Sequence, residues 1–218
     1  MQANFFYNPK SAAKKAKAQS EKLMIQKYRL TPELPLLIRE GIRKPEEVIE
    51  RALILDAFLH IHFKLPIEQV NEWIKKEGLE RALSESEKII LSKSNDELNE
   101  EEKAQVFWYI ESLWALLWTC RRINIITVNK PCEEFMAELC PNLANGDDGE
   151  KFRKKLRLRS LREIFFCFDL HFRLHYYAEN DEDPMLNPNI QKARRKALDW
   201  VISPNTDWDN ILVNFDID

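Results

Sequence analysis

Residues 106–120 constrain the fold most, because only Glu111, Ser112 and Thr119 among these fifteen side chains are polar. The run also holds three of the six tryptophans in the chain. A helix that is apolar on nearly every side must be buried, since each face left in water would lose its transfer free energy. At about 1.5 Å per residue the run is roughly 22 Å long, which is short for a membrane span. It therefore predicts the buried central helix of a soluble helical domain.

Helical periodicity extends over most of the remaining chain, and only four of the 218 residues are glycine, which favours long helices. We predict a mainly all-α protein, with a single globular multi-helix domain over residues 11–218 and a loose segment at 1–10. The one β-like run, residues 123–128 (INIITV), supports at most one short strand or hairpin. A second core helix is predicted from an apolar stripe of Val48, Ala52, Leu55, Leu59 and Phe63.

Helix starts are marked by capping residues. Asn99 with Glu102, and Ser84 with Glu87, have the spacing of a capping box, in which each residue hydrogen-bonds the backbone N–H of the other. Pro45 suits a first helical turn, where its missing N–H would have no intrahelical partner. These signals place helix starts just before the central run and before two shorter apolar segments.

Composition excludes several function classes. The 33 basic and 36 acidic residues give a net charge of −3, so bulk charge predicts neither nucleic-acid nor membrane binding. No secretory signal is visible, and the four cysteines form no CxxC pair, which together predict free thiols and a cytoplasmic location. His171 and His175 lie four apart on one helix face, but the pattern suggests no third ligand, so neither a metal nor a cofactor is expected.

Glu111 is the unusual residue of the central run, because its helical neighbours, among them Phe107, Trp108 and Trp114, are apolar. A carboxylate held there needs a cation or several hydrogen-bond donors, since an unpaired buried charge costs several kcal/mol. One interpretation is a structural ion pair. The other is a pocket carboxylate with a shifted pKa.

Charge is segregated along the chain. Residues 10–29 and 151–162 are mainly basic, whereas 93–102 and 179–183 are mainly acidic. The second basic run opens a helical pattern that continues to about residue 180. Patches of this kind speed and orient association with a charged partner.

Three segments, taken in order, resemble a bacterial family known as domain of unknown function number 4272. Residues 107–118 are similar to the family's Trp-x-x-Glu-Ala followed by a Leu-Leu-Trp run, although residues 119–121 replace the usual Ala-Leu-Gly. Residues 158–175 and 194–200, closed by Asp-Trp-Asp at 207–209, carry the rest of the resemblance. The resemblance implies a mostly helical intracellular bacterial protein. The family has no established activity, so the resemblance assigns no catalytic residues to this chain.

Polar residues are concentrated on the otherwise apolar helices of these segments. We expect several of them to converge where the central helix meets the last two helices, as a buried ion network or as a binding site. The candidate cluster consists of eight charged or titratable residues and two tryptophans: Glu111, Glu163, Asp169, Arg173, His175, Arg195, Asp199, Trp200, Trp208 and Asp209.

Three functions compete for this chain. The favoured hypothesis is a non-enzymatic protein-binding module, for example an inhibitor or an immunity-type partner of another protein, with the charge patches as its basis. The alternative is a small-molecule enzyme, with Glu111 or His175 as general base and Arg173 or Arg195 holding an anionic substrate. The sequence contains no phosphate-binding glycine loop, no nucleophile elbow and no HExxH motif, which counts against the enzyme hypothesis. A third hypothesis, nucleic-acid binding through residues 151–162, requires a steep dependence of affinity on salt.

Overall fold

The computed structural model describes residues 8–27, 34–39, 41–154, 157–180, 186–211 and 213. Within these ranges the chain forms eight α-helices and five short 3₁₀ helices, and no strand. The α-helices are α1 (Pro9–Lys27), α2 (Pro45–His62), α3 (Ile67–Lys76), α4 (Glu85–Leu91), α5 (Glu100–Thr119), α6 (Glu150–Lys154), α7 (Leu161–Asn180) and α8 (Pro188–Ile202). The 3₁₀ helices are Glu80–Ala82, Asn95–Glu97, Glu134–Leu139, Leu143–Asn145 and Trp208–Asn210.

The long helices pack as a row in the spatial order α1, α7, α8, α5, α2 and α3. Helix α5 therefore lies between α2 and α8, and its side chains from Leu113 to Leu117 are all buried. This confirms the predicted central helix. One large apolar core joins residues from α1, α2, α3, α5, α7 and α8, so the described residues form a single all-α domain.

The predicted capping signals are made in the structure. The Asn99 side chain accepts from the Glu102 N–H at 2.9 Å, and the Glu102 carboxylate accepts from the Asn99 N–H at 3.0 Å. Ser84 and Glu87 make the same reciprocal pair at the start of α4. Pro45 occupies the first turn of α2. Local sequence thus sets where these helices begin.

The β-like run at residues 123–128 is not a strand in the described structure. Its carbonyl groups accept hydrogen bonds from side chains instead of from a neighbouring strand. Arg159 Nη2 donates to the carbonyls of Ile123 and Asn124, at 3.0 and 3.1 Å, and Arg194 Nη1 donates to that of Thr127 at 2.5 Å. Backbone carbonyl groups need donors but not a sheet, and here two arginines supply the donors for these three carbonyls.

The basic run at 151–162 does not open one continuous helix, because α6 ends at Lys154 and residues 157–160 are not helical. A capping pair at Ser160 and Glu163 starts α7 anew. The predicted loose segment at 1–10 falls mostly outside the described residues, and so do residues 28–29 and 181–183 of two charge patches.

Candidate functional site

Glu111 is buried between α5 and α8 and is paired with Arg194. Its Oε2 atom accepts from Arg194 Nε at 2.8 Å and lies 2.7 Å from Nη2. Its Oε1 atom accepts from the backbone N–H of Cys132 at 2.9 Å. The predicted acid on the central helix therefore meets a base from the last helix, but that base is Arg194, which was not among the predicted site residues.

The remaining donors of Arg194 are also used. Nη1 donates to the carbonyl of Thr127 and Nη2 to that of Lys130, at 2.5 and 2.8 Å. The Glu111–Arg194 pair thus ties the segment 127–132 to α5 and α8. With both carboxylate oxygens and all three guanidinium nitrogens occupied, the geometry is that of a structural ion pair.

A second buried pair lies within α7. Arg173 binds the Asp169 carboxylate with two hydrogen bonds, of 2.9 and 3.0 Å, one turn apart on the helix. Next to it, the His171 Nδ1 lies 2.7 Å from the side-chain oxygen of Gln191 on α8. Burial and the charge of Arg194 lower the pKa of His171 to about 3, so the ring is neutral at physiological pH.

His175 and Arg195, both members of the predicted cluster, lie next to each other. Arg195 Nη1 lies 3.1 Å from His175 Nδ1, and because a guanidinium can only donate, Nδ1 is the acceptor. The opposite ring nitrogen then donates to Glu179 at 2.9 Å. Burial, together with the charges of Arg195 and Lys192, lowers the pKa of His175 to about 3.

Glu163 lies apart from this pair, whereas Asp199 is near enough to Arg195 to raise its pKa, against the lowering caused by burial. The Asp199 carboxylate binds Arg39 with hydrogen bonds of 2.7 and 2.9 Å and accepts from the Ser203 hydroxyl. Glu163 is partly exposed at the start of α7, where hydrogen bonds from Ser160 lower its pKa. The structure thus places the predicted residues in several local pairs along α5, α7 and α8.

Trp200, Trp208 and Asp209 border a cleft of about 490 Å³ between the start of α2, residues 81–85 and residues 200–210. The rings of Trp200 and Trp208 meet edge to face, with centroids 5.8 Å apart. Asp209 accepts from the backbone N–H of Ser86 at 2.9 Å and from its hydroxyl at 2.8 Å. Asp209 thus fastens residues 207–210 to α4.

The protein's own cations cover both tryptophans of the cleft. Arg43 lies 4.0 Å from the centroid of the Trp200 ring, whereas Arg51 and Lys196 lie 4.9 and 4.8 Å from that of Trp208. The N–H groups Trp208 Nε1 and Arg51 Nε have no acceptor among the described residues, but both are inaccessible from the cleft. The cleft therefore offers a ligand neither an open aromatic face nor a free buried donor.

A different group of aromatic residues is exposed where α2 ends beside the start of α5. The rings of His62, Phe63, Phe107 and Trp108 make a chain of contacts with centroids 5.0 to 5.2 Å apart, and we call these four residues the aromatic surface. Phe63 is 67% exposed and Phe107 39%. An apolar groove of about 320 Å³ lies beside them, lined in part by Ile61, Leu98 and Val106.

The turn after α2 explains why Phe63 is outside. The backbone of Lys64 is left-handed, with φ +73°, and Pro66 then starts α3. The prediction that Phe63 belongs to the core stripe is therefore wrong. Pro66 was the available signal, because a proline three residues on forces the helix to end and removes the last member of the stripe from the core.

Neither a metal site nor a membrane span is found in the part of the chain that the structure describes. No group of three or more His, Cys, Asp or Glu side chains there is arranged to hold a metal ion. None of its helices has the length and apolarity needed to cross a bilayer.

Comparison with protein-family models gives one match, to the family described as Domain of unknown function (DUF4272), over residues 15–211. No curated protein sequence and no solved structure matches the chain significantly.

Proposed function

The chain belongs to the DUF4272 family, and we propose that it is a non-enzymatic module that binds another protein through its aromatic surface. The observation that carries the proposal is the exposure of Phe63, 67% of which is accessible and whose ring contacts His62, which in turn contacts Phe107. Contiguous exposed apolar patches of this kind mark interaction sites in soluble proteins.

The interior of the protein supports binding over catalysis. Glu111 and Arg173 are both held by buried counter-ions, and the lowered pKa of His175 makes its ring a weak base near neutrality. Four surface cavities of about 320 to 790 Å³ are all lined by other residues. Glu111 and His175, the two candidate bases of the enzyme hypothesis, are therefore already held by hydrogen bonds, and none of these four cavities reaches them.

The aromatic surface can supply the energy for binding. Burying a Phe side chain that was exposed gains about 1.5–3 kcal/mol. Phe63 and Phe107 are both available for such burial. Aromatic anchors with a few charged neighbours are typical of interaction hot spots, which are enriched in large rigid side chains.

The test is affinity capture from a lysate of the source organism with the wild-type chain, with Phe63→Ser and with Ile125→Ser. Ile125 is a matched control, since it is 73% exposed and, like Phe63, lies outside a helix. We expect one protein to be retained by wild type and by Ile125→Ser and to be lost from Phe63→Ser. Titration of that purified protein against the three chains then gives the loss in affinity, expected to be about tenfold or more.

Circular dichroism and thermal unfolding of both variants confirm that each is folded before capture is interpreted. Retention of the same protein by all three chains contradicts docking on the aromatic surface. Retention of no protein at low salt contradicts the binding function as a whole.

A further inference from the structure

We infer that the outward face of α1 is a second binding surface, and that it takes an acidic amphipathic helix of a partner protein. This face is separate from the aromatic surface, because α1 stands at one end of the row of helices whereas the aromatic surface belongs to α2 and α5. The inference therefore goes beyond the proposed function. It follows from the exposure, the spacing and the charge of the side chains on that face.

Helix α1 has two opposite faces. One face is buried, mainly against α7, and consists of Ala13, Ala16, Ser20 and Met24. The opposite face is exposed along its whole length, and we call its five residues the outer stripe: Ser11, Lys15, Ala18, Lys22 and Ile25. Packing against α7 therefore leaves the outer stripe accessible to another molecule.

The outer stripe has the spacing of a seam between two helices. Its residues follow one another at intervals of four, three, four and three positions, which is the 3.5-residue repeat of a coiled-coil seam. Ser11 and Ala18 are small, so the backbone of a second helix can approach closely, and Ile25 is 65% exposed and offers an apolar contact. At about 1.5 Å per residue the stripe is roughly 21 Å long, which accommodates two heptads of a partner helix.

The charge of the outer stripe is positive and uncompensated. Helix α1 contains six lysines but a single acid, Glu21, and that acid pairs with Lys17 at 3.7 Å. No carboxylate of the described residues lies within 4 Å of Lys15 or Lys22. Carboxylates at the matching positions of a partner helix would pair with these two lysines, and like charges there would be repelled.

Nucleic acid and anionic membranes fit this face less well than an acidic helix. The chain as a whole has a net charge of −3, so a long polyanion or a bilayer that extends past α1 meets an acidic protein. Binding in a bilayer interface also requires several large apolar side chains, and Ile25 is the only one in the outer stripe. A short acidic helix contacts α1 alone and avoids both penalties.

A second copy of this chain is also a poor occupant. A two-fold interface places the same patch of both subunits face to face. Lys15 and Lys22 of one copy would then lie against the same two lysines of the other, which is repulsive. The outer stripe is therefore complementary to an acidic helix and not to itself.

The probes are two fluorescein-labelled synthetic peptides of about three heptads with the same leucine seam, one with glutamate and one with lysine beside it. Fluorescence anisotropy measures their binding to the full chain at low salt. We expect the glutamate peptide to bind at least about tenfold more tightly than the lysine peptide, and more weakly as salt is raised. A labelled DNA duplex and phosphatidylserine vesicles, the competing anionic ligands, should bind more weakly than the glutamate peptide.

Charge is tested with the double variant Lys15→Gln, Lys22→Gln. The matched control, Lys75→Gln with Lys76→Gln, removes the same charge from exposed positions of α3. We expect the first pair to weaken binding of the glutamate peptide about threefold to tenfold, because each exposed ion pair contributes modestly. The control pair should leave the affinity unchanged.

Charge reversal and the aromatic surface supply two further checks. Lys15→Glu with Lys22→Glu should bind the lysine peptide more tightly than the glutamate peptide, a result that an unfolded variant cannot give. Phe63→Ser should bind the glutamate peptide as wild type does, because Phe63 lies outside α1. Circular dichroism confirms that each variant is folded.

Several outcomes overturn the inference. Two of them are binding of neither peptide and equal or tighter binding of the lysine peptide. Tighter binding of the DNA duplex or of the vesicles assigns the face to another class of ligand, and loss of peptide binding in Phe63→Ser moves the peptide to the aromatic surface. A wild-type dimer, detected by analytical ultracentrifugation and lost in Lys15→Glu, Lys22→Glu, makes a second copy the occupant. The capture experiment with Phe63→Ser decides the proposed function separately, because it does not change α1.

Discussion

Two buried acidic side chains, Glu111 on α5 and Asp56 on α2, differ in whether the fold gives them a cationic partner. Glu111 is paired with Arg194 and accepts a backbone N–H. Asp56 shares a hydrogen bond with the thiol of Cys140, and its Oδ2 atom has no partner among the described residues. Burial raises the pKa of Asp56 well above its ordinary value, because the charged form loses its hydration there.

The difference shows that burial alone does not make an acid a functional candidate. What matters is whether the fold brings a cation and donors to it, as α8 and the segment 127–132 do for Glu111. A paired carboxylate stabilises the arrangement of helices, whereas an unpaired one becomes neutral. The comparison can be tested by removing the cation from the first site and the ionisable proton from the second.

The largest effect is expected from Arg194→Met, which leaves Glu111 buried without its counter-ion. The free energy of unfolding should fall by about 3–5 kcal/mol, because an uncompensated charge then remains in the core. Urea denaturation followed by circular dichroism measures it.

The double variant Glu111→Leu, Arg194→Met is the control, since it leaves no buried charge at this site. It should be more stable than Arg194→Met alone, although the carbonyls of Thr127 and Lys130 still lose their donor. If the double variant is the less stable of the two, the Glu111 charge is not what makes the single substitution costly.

A smaller effect, opposite in sign, is expected from Asp56→Asn. The folded-state pKa of Asp56 is raised above the unfolded value of 3.8, so the folded protein keeps a proton that the unfolded chain releases. This residue therefore costs wild type stability as pH rises above about 4. Asn stays neutral at every pH and can still accept from the Cys140 thiol.

We expect Asp56→Asn to gain in stability relative to wild type between pH 5 and pH 8, as measured by guanidinium unfolding at both values. Taking the difference between the two chains cancels the titration of all other groups. A difference that does not change with pH would mean that Asp56 is ionised in the fold and that the contrast with Glu111 is wrong.

The order and ends of the helices could be predicted because their causes are local. Composition alone identified α5, and capping residues such as Asn99 and Ser84 marked helix starts. The break between α6 and α7 was missed, although Ser160 and Glu163 have the same spacing as the capping boxes that were recognised.

Pairing between helices was predicted less well, because it depends on the rotation of each helix about its axis. Arg194 lies four residues after Ile190 and four before Leu198, in phase with the buried stripe of α8, yet it was not among the predicted site residues. Asp56 was overlooked even though its helical neighbours Ala52 and Leu59 are apolar, which is the criterion that selected Glu111. The same periodicity argument, applied to every charged residue, would have found both.

The smallest effect is expected at a third carboxylate, which has donors but also has water. Glu163 accepts from the N–H and hydroxyl groups of Ser160 at 2.9 and 2.7 Å, and its side chain is 41% exposed. Its folded pKa is lowered from the ordinary value of 4.5 by these hydrogen bonds, so its ionised form stabilises the fold above that pH and the contribution is lost as pH falls through the folded pKa. Solvent screening limits the loss in Glu163→Gln to about 0.5–1 kcal/mol at pH 7, vanishing in acid. Urea unfolding of both chains at pH 7 and pH 3 measures this loss. A loss as large as that of Arg194→Met would mean that exposure to water does not weaken the contribution of a carboxylate. Burial would then not explain the contrast between Glu111 and Asp56.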